Sequence, residues 1–382
     1  MNKPALSAAC AAGFAFSVNY TNHAPMLPLL RQTFAISQAQ AGALTTAIFL
    51  THALMQIPGG RLADRFGPLR VLTFALAWVA LTNAALSFAP GYLSLLALKS
   101  LAGLGTGACF AAGARYVVAS FRGASLQLAQ GLYGGSVFLG AGFVIFAIPQ
   151  LLGNIGWSGS FLACASVALL VCLLCAFFAP HPIPVTPPPA SIGEMLSHPE
   201  LWLLGVIQMA SFGLTIVIGT WITTLLHASL GLNLKTAGLL GSLVLLLGIL
   251  TRPFGGWLAH RLPLRPLLGS ALLLNVAGCL ILAVTHSALP TFAAIAILAL
   301  GCGIPYAGSF NRAAALFPGR AGAAMGLVNM IGILMILAGA PAIGALADST
   351  GSFRTSFLAL AVFTLIAAGA VPFLPKQKVT HP

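Results

Sequence analysis

Acid is what this chain has least of. Its carboxylate side chains are Asp64, Glu194, Glu200 and Asp348, four in 382 residues, against seventeen Lys and Arg. Charged residues of both signs make up 5% of the sequence, where soluble domains carry about one quarter. An ordinary soluble globule is excluded. A disulfide framework is also missing: Cys10, Cys109, Cys164, Cys172, Cys175, Cys279 and Cys302 all lie in apolar runs. Cys172 and Cys175 have C-x-x-C spacing, but inside a Leu/Phe-rich stretch they read as small buried hydrophobes. No metal signature is present, and no nucleophile–base pair falls at membrane depth, so an enzyme, a cofactor and a bound metal are not expected.

What the chain has in abundance is apolar length. It is 59% hydrophobic, with a mean hydropathy of +1.01. A span needs about 20 apolar residues, and the runs here are too many and too long for the interior of a globule. In lipid every backbone polar group must be satisfied internally, which leaves helices or a closed barrel. Runs such as Leu239 to Leu250 lack the alternation a barrel strand requires, so the expected fold class is all-α integral membrane. The N-terminal apolar stretch continues past Ala15 to Tyr20 and Met26 with no clear cleavage site, and reads as a first span rather than a signal peptide.

Twelve apolar segments follow, centred near residues 18, 49, 80, 106, 138, 168, 212, 248, 276, 300, 332 and 363. One separator differs from the rest. His181 to Glu200 carries Pro182, Pro184, Pro187, Pro188 and Pro189 with two of the acids, and reads as a polar linker. The expected domains are a six-helix bundle over 1–180, a cytoplasmic linker over 181–200 and a second six-helix bundle over 201–382.

Orientation follows from the basic residues of the loops. If the N-terminus is cytoplasmic, inner loops and tails hold Lys3, Arg61, Arg65, Arg70, Arg122, Arg261, Arg265, Arg312, Arg320, Lys376 and Lys378, with Arg115 near the inner end of the fourth span; outer loops hold only Arg31, Lys235 and Arg354. Both termini are therefore placed inside. The formal charge of +13 is then mostly a topology signal facing anionic lipid headgroups, and nucleic acid is not an expected partner.

A charged turn sits between the second and third spans: Gly59-Gly60-Arg61-Leu62-Ala63-Asp64-Arg65-Phe66-Gly67-Pro68-Leu69-Arg70. Its echo, Gly255-Gly256-Trp257-Leu258-Ala259-His260-Arg261, begins 196 residues later, about half the chain. In this setting the first copy resembles the loop between helices 2 and 3 of the major facilitator superfamily, of the form G-x-L-x-D-R-x-G. Ser100 to Gly107 in span 4 and Gly344 to Arg354 after span 11 also match facilitator patterns. The resemblance covers nearly the whole chain. It implies two parallel six-helix repeats, a rocking alternating-access mechanism, symport or antiport of a small molecule, a monomer, and a bacterial inner membrane.

It also gives the turn a gate role. Asp64 would hold the inner ends of the halves together in the outward-facing state, through a facing helix N-terminus or a basic partner such as Arg115. Gly59, Gly60 and Gly67 would permit the close approach and the tight turn. The alternative is that these residues only set topology. In the echo the acid has become His260, so the second gate is expected to be weaker.

Ionisable residues inside spans are costly and usually functional. Arg252, in Leu250-Thr251-Arg252-Pro253-Phe254-Gly255-Gly256, lies about a turn inside span 8. An Arg ahead of this G-G resembles the nitrate/nitrite porters and some organic-anion carriers, where it faces the cavity and contacts the anion. A guanidinium fork can bind two oxygens of a planar oxyanion at once. The alternative is an Arg that snorkels to the cytoplasmic surface. Asn19, Tyr20 and His23 share one stretch of span 1 and are candidates for substrate or proton contact. His52 in span 2, Gln208 in span 7 and Asn329 in span 11 are further candidates, although helix–helix contact is the commoner role for such amides. Lys99 begins span 4 where the facilitator family often has Arg and is a weaker candidate; with Tyr92 nearby, its alternative place is the outer interface.

No Asp or Glu falls inside a span, so the cavity is expected to be neutral or positive and to favour an anion over a cationic drug. The nitrate/nitrite pattern is incomplete: Gly131 to Gly140 in span 5 has no Asn, and span 2 has no Arg before Arg61. The expected function is secondary active transport of a small anion, an inorganic oxyanion, a cyanate-like ion or a short carboxylate. The alternative is an exporter of hydrophobic drugs or metabolites.

Overall fold

The computed structural model describes residues 2–121, 123–181, 192–285, 287–317 and 321–375, without the side chains of Asp64, Pro253 and His260 among others. Arg122, Arg320, Lys376, Lys378 and the linker prolines, which figured in the topology and linker expectations, lie outside the described residues. Sixteen α-helices account for almost all of what is described. They are α1 (Lys3–Thr21), α2 (Leu27–Phe34), α3 (Gln38–Phe66), α4 (Pro68–Leu86), α5 (Tyr92–Ser120), α6 (Gly123–Phe178), α7 (Ile192–Leu196), α8 (Pro199–Gln208), α9 (Leu214–Leu230), α10 (Leu234–Leu246), α11 (Gly248–Arg261), α12 (Leu264–Val284), α13 (Ala288–Gly303), α14 (Pro305–Leu316), α15 (Ala321–Thr350) and α16 (Phe353–Ala368).

Among the described residues, nine helical segments are long and apolar enough to cross a membrane. The longest, Gly131–Phe178, is interrupted at Gly156, whose φ of +64° only glycine adopts at little cost, so this segment is two rods. α8 and α9 are joined through a π-helical turn at Met209–Gly213, and α10 and α11 meet at a break around Leu247. α1 and α3 carry more polar residues than the nine, yet are 19 and 29 residues long and pack into the same bundle. The rods run antiparallel in sequence. One face carries the α3–α4 turn, where Gly67 (φ +91°) separates the helices, and the α11–α12 turn. This is the basic face; the short amphipathic α2 lies at the other, the far face.

The far ends are pressed together. Gly42 on α3 faces the Ala340 carbonyl of α15 so closely that a Cβ there would sit 2.4 Å from the oxygen, and Gly344 stands equally close to Gln38. Thr46 donates to the Leu337 carbonyl at 2.7 Å. The Asp348 carboxylate accepts from the backbone N–H groups of Gln38 (3.1 Å) and Ala39 (2.9 Å), the first residues of α3. A carboxylate is favoured at this position because helix N-termini leave unpaired N–H groups and carry partial positive charge. On the opposite flank, Gly238 of α10 packs on Pro149 of α6, and Gln150 donates to the Lys235 carbonyl at 2.9 Å. Toward the basic face, Gly60, Gly131, Gly135 and Gly326 have no described atom within 4 Å of where a Cβ would be, while Gly255 is as tightly packed as the far-face glycines.

Candidate functional site

Between these ends, α1, α3, α5, α6, α11, α14 and α15 enclose a cavity with about 30 Å³ of free space, enough for one or two waters. Its wall is largely aromatic, with Phe49, Phe110, Phe212 and Phe310. Its polar residues are Tyr20, His52, Arg252, Tyr306 and Asn329.

Arg252 governs the site. It lies on the first turns of α11, just past the Leu247 break, and is only 7% exposed. It does not snorkel. Its guanidinium carbon stands 3.3 Å from the ring centroid of Phe138 and 3.9 Å from that of Tyr306, so the planar cation is held between two aromatic faces. Nη1 donates to the Gly134 carbonyl of α6 at 3.1 Å, while the buried Nε has no partner among the described residues. Two glycines make room for this arrangement. A Cβ on Gly134 would lie 2.8 Å from the Tyr306 hydroxyl, and one on Gly248 would lie 2.9 Å from the Phe138 ring. The span-5 stretch that lacks an Asn thus offers Arg252 a backbone carbonyl instead.

His52 lies across the cavity. Its ring is surrounded by Tyr20, Phe49 and Phe110 at centroid separations of 6.1, 5.7 and 6.0 Å. Nδ1 and the Thr106 hydroxyl form a 3.0 Å hydrogen bond, which fixes the ring. The Tyr20 hydroxyl is buried and has no partner among the described residues. A buried donor without a partner costs free energy comparable to a lost hydrogen bond. Here the Tyr20 hydroxyl and the Arg252 Nε, both donors, occur at one small cavity.

Of the residues singled out in the sequence, Tyr20, His52, Arg252 and Asn329 come together here. Asn19, His23 and Gln208 lie outside this cavity. Asn19 ties helices together, donating to the Ala15 and Cys164 carbonyls at 2.8 and 3.0 Å. His23 bonds Thr45 through Nε2 at 2.8 Å, farther toward the far face. Gln208 packs against Gly332 and accepts from Ser211 at 3.4 Å. Lys99 is 1% exposed and inside the bundle rather than at the outer interface. The aromatic clamp of Phe138 and Tyr306 was not legible, because Phe and Tyr in an apolar span look the same whether they face lipid, core or cavity.

At the charged turn, Gly59 packs on Ala108 of α5, with a Cβ position 3.0 Å from its Cα, and Gly255 stands against the Ile304 backbone at 2.5 Å. Among the described residues, Gly256 has Ala307 near it, at 3.3 Å. Arg61, Arg65, Arg70 and Arg261 are exposed; Arg65 lies over Phe66 at 5.1 Å and Arg261 over Trp257 at 4.2 Å. Arg115 is half-buried. The Asp64 side chain lies outside the described residues, so the gate expectation for it stands apart from this geometry.

The family model described as Major Facilitator Superfamily matches residues 9–263 and 201–382. The chain belongs to this superfamily. It is therefore a multi-pass membrane protein, and its relatives are transporters. A probable nitrate transporter, NarT, of Staphylococcus epidermidis is 26% identical over 360 residues, covering 93% of this chain and 92% of the relative. A probable sulfoacetate transporter, SauU, of Cupriavidus necator is 26% identical over 301 residues, 72% of this chain and 70% of the relative. Among solved structures, a bacterial homologue of the human lysosomal transporter Spinster, in an inward-facing and occupied conformation, superposes with a TM-score of 0.80. It covers 97% of this chain and 96% of that one at 18% identity. That likeness concerns the fold.

Proposed function

We propose that this facilitator is a secondary active transporter of a small anion, an inorganic oxyanion, a cyanate-like ion or a short carboxylate, with Arg252 as its binding group. One observation carries the reading: a buried arginine, clamped between Phe138 and Tyr306, presents an unpartnered Nε in a cavity whose described walls contain no acid. A guanidinium held this way keeps its charge and offers a planar edge suited to a planar oxyanion or carboxylate. Relatives whose names cite nitrate and sulfoacetate support an anionic substrate. Tyr20, His52 and Asn329 complete the anion's surroundings, with the Tyr20 hydroxyl as a second donor.

The basic face is cytoplasmic in this reading, by the distribution of Lys and Arg, and the membrane is the inner membrane of a bacterium. Twelve spans form bundles over 1–180 and 201–382 joined by the 181–200 linker. The contacts of Gly42, Thr46, Gly344 and Asp348 then correspond to a state of the rocker switch that is closed on the far side. Asp64 closes the cytoplasmic side in the alternate state.

The test is binding by purified protein. Nitrate, nitrite, cyanate and short carboxylates are screened by thermal shift, followed by uptake into proteoliposomes with and without a pH gradient. One or more of these anions is expected to raise Tm, and Arg252→Ala to abolish both the shift and uptake. An exporter of neutral hydrophobic compounds would tolerate Arg252→Ala and be stabilised by lipophilic compounds instead.

A further inference from the structure

A second cation is buried in this protein, and the anion-binding cavity does not use it. Lys99 on α5 is 1% exposed, and the described groups bonded to or stacked on its Nζ are neutral. Nζ donates to the Asn22 side-chain oxygen at 2.5 Å and reaches the Asn19 carbonyl at 3.4 Å; the Phe161 ring lies 5.2 Å away. Asn22 is held in turn by Asn83, to which its amide donates at 3.0 Å. The chain's acids cannot compensate this charge. Glu200 is bound to Arg312, Asp348 to the start of α3, Asp64 lies at the basic-face end of α3, and Glu194 is in α7 at the linker. A buried ion without a charged partner is expensive, and its retention calls for a function.

His23, next to Asn22, supplies a second observation. It is 1% exposed, Nε2 is bonded to Thr45, and Nδ1 has no partner among the described residues. Thr45 in turn bonds Thr220 of α9 at 3.4 Å, a contact between the first and second halves of the chain. Thr45 precedes His52 on α3 by seven residues, so this cluster lies about 10 Å nearer the far face than the central cavity. It sits in the seam that must part if the far end is to open.

We infer that Lys99 and His23 form an outer anion subsite. In the sealed state they are covered by the Thr45–Thr220 contact. When the far end opens, they present the first positive charge that an anion arriving from that side meets, before it passes inward to Arg252. The ligand is the transported small anion itself, taken up by the Lys99 ammonium and the free edge of His23. This rests on the anion reading above. It differs from a purely structural role, in which Lys99 caps the C-terminal carbonyls of α1.

Sidedness separates the two. Nitrate transport is measured in right-side-out and inside-out vesicles, together with the nitrate-dependent Tm shift of purified protein. Lys99→Gln is expected to raise KM for entry from the far side about tenfold, the loss of one charge-assisted contact. KM from the basic face and the Tm shift should stay as in wild type, and Lys99→Arg should retain far-side affinity. Asn22→Asp guards against a folding defect. It keeps an acceptor for Lys99 and cancels the charge, and pairing it with Asn83→Ser, whose hydroxyl can donate to the new carboxylate in place of the lost Asn22–Asn83 bond, keeps that site bonded. This variant too should weaken far-side entry alone, whereas a structural cap would be strengthened by it. Equal KM changes on both sides, or none, would overturn the subsite. If nitrate and the other anions fail to shift wild-type Tm, the anion reading fails first and the subsite falls with it; if only Arg252→Ala acts, the subsite alone is wrong.

Discussion

At the scale of single residues, Arg252 depends on its neighbours being small where it approaches and aromatic where it stacks. Gly134 and Gly248 are the small ones, and an alanine at either would meet Tyr306 or Phe138 inside 3.0 Å. Gly134→Ala is expected to reduce anion affinity roughly tenfold by tilting the guanidinium, with little effect on Tm, since the clash is with a side chain that can rotate. Tyr306→Ala should act more strongly than Tyr306→Phe, because the face and not the hydroxyl holds the cation; anion titration by thermal shift reads both. Arg252 stood out in the sequence because a charge at membrane depth is conspicuous. Gly134 and Phe138 did not, because their meaning lies in what faces them across an interface. Where span 5 lacks an Asn, the Gly134 carbonyl stands near the guanidinium, and a carbonyl needs no particular side chain.

Among the elements, the far seal between α3 and α15 shows why some motifs are legible and others are silent. The Gly344 to Arg354 stretch is legible in the sequence only as a family resemblance. Its acid, Asp348, binds the first N–H groups of α3, the kind of charge–helix contact expected of Asp64 at the other face. Asp348→Asn weakens the acceptors at that helix end, and is expected to raise labelling of an Ala340→Cys variant from the far side by a few-fold at most, since the carboxylate is exposed. Gly42→Leu should do far more. A side chain cannot fit 2.4 Å from the Ala340 oxygen, so this variant should stay open at the far end, label rapidly and not transport. Near the basic face, Glu200 and Arg312 form a bidentate pair with N–O distances of 2.5 and 2.9 Å, Glu200 being buried. Glu200→Gln leaves Arg312 without its charge partner and should destabilise the protein by about 3 kcal/mol, read as a lower Tm without loss of anion specificity. The apolar rods were legible because a bilayer permits few alternatives. The break at Gly156 was legible too, since it falls between the apolar segments centred near 138 and 168; the break at Leu247 and the π turn at Met209–Gly213 were not, because they answer to neighbouring helices.

For the whole molecule, the shortage of acid is what gives the charges their meaning. With four carboxylates in 382 residues, Arg252 and Lys99 have no charged partner among the described residues, and in the proposed account the path between the halves is positive at two levels. A carrier of cations would need the opposite. The measurement that tests this most directly is anion binding to purified wild-type and Arg252→Ala protein, followed by thermal shift across nitrate, nitrite, cyanate and short carboxylates. Wild type should be stabilised by at least one of these in a saturable way, and Arg252→Ala by none. Stabilisation by lipophilic cations with no response to any anion, or an anion response that survives in Arg252→Ala, would contradict it.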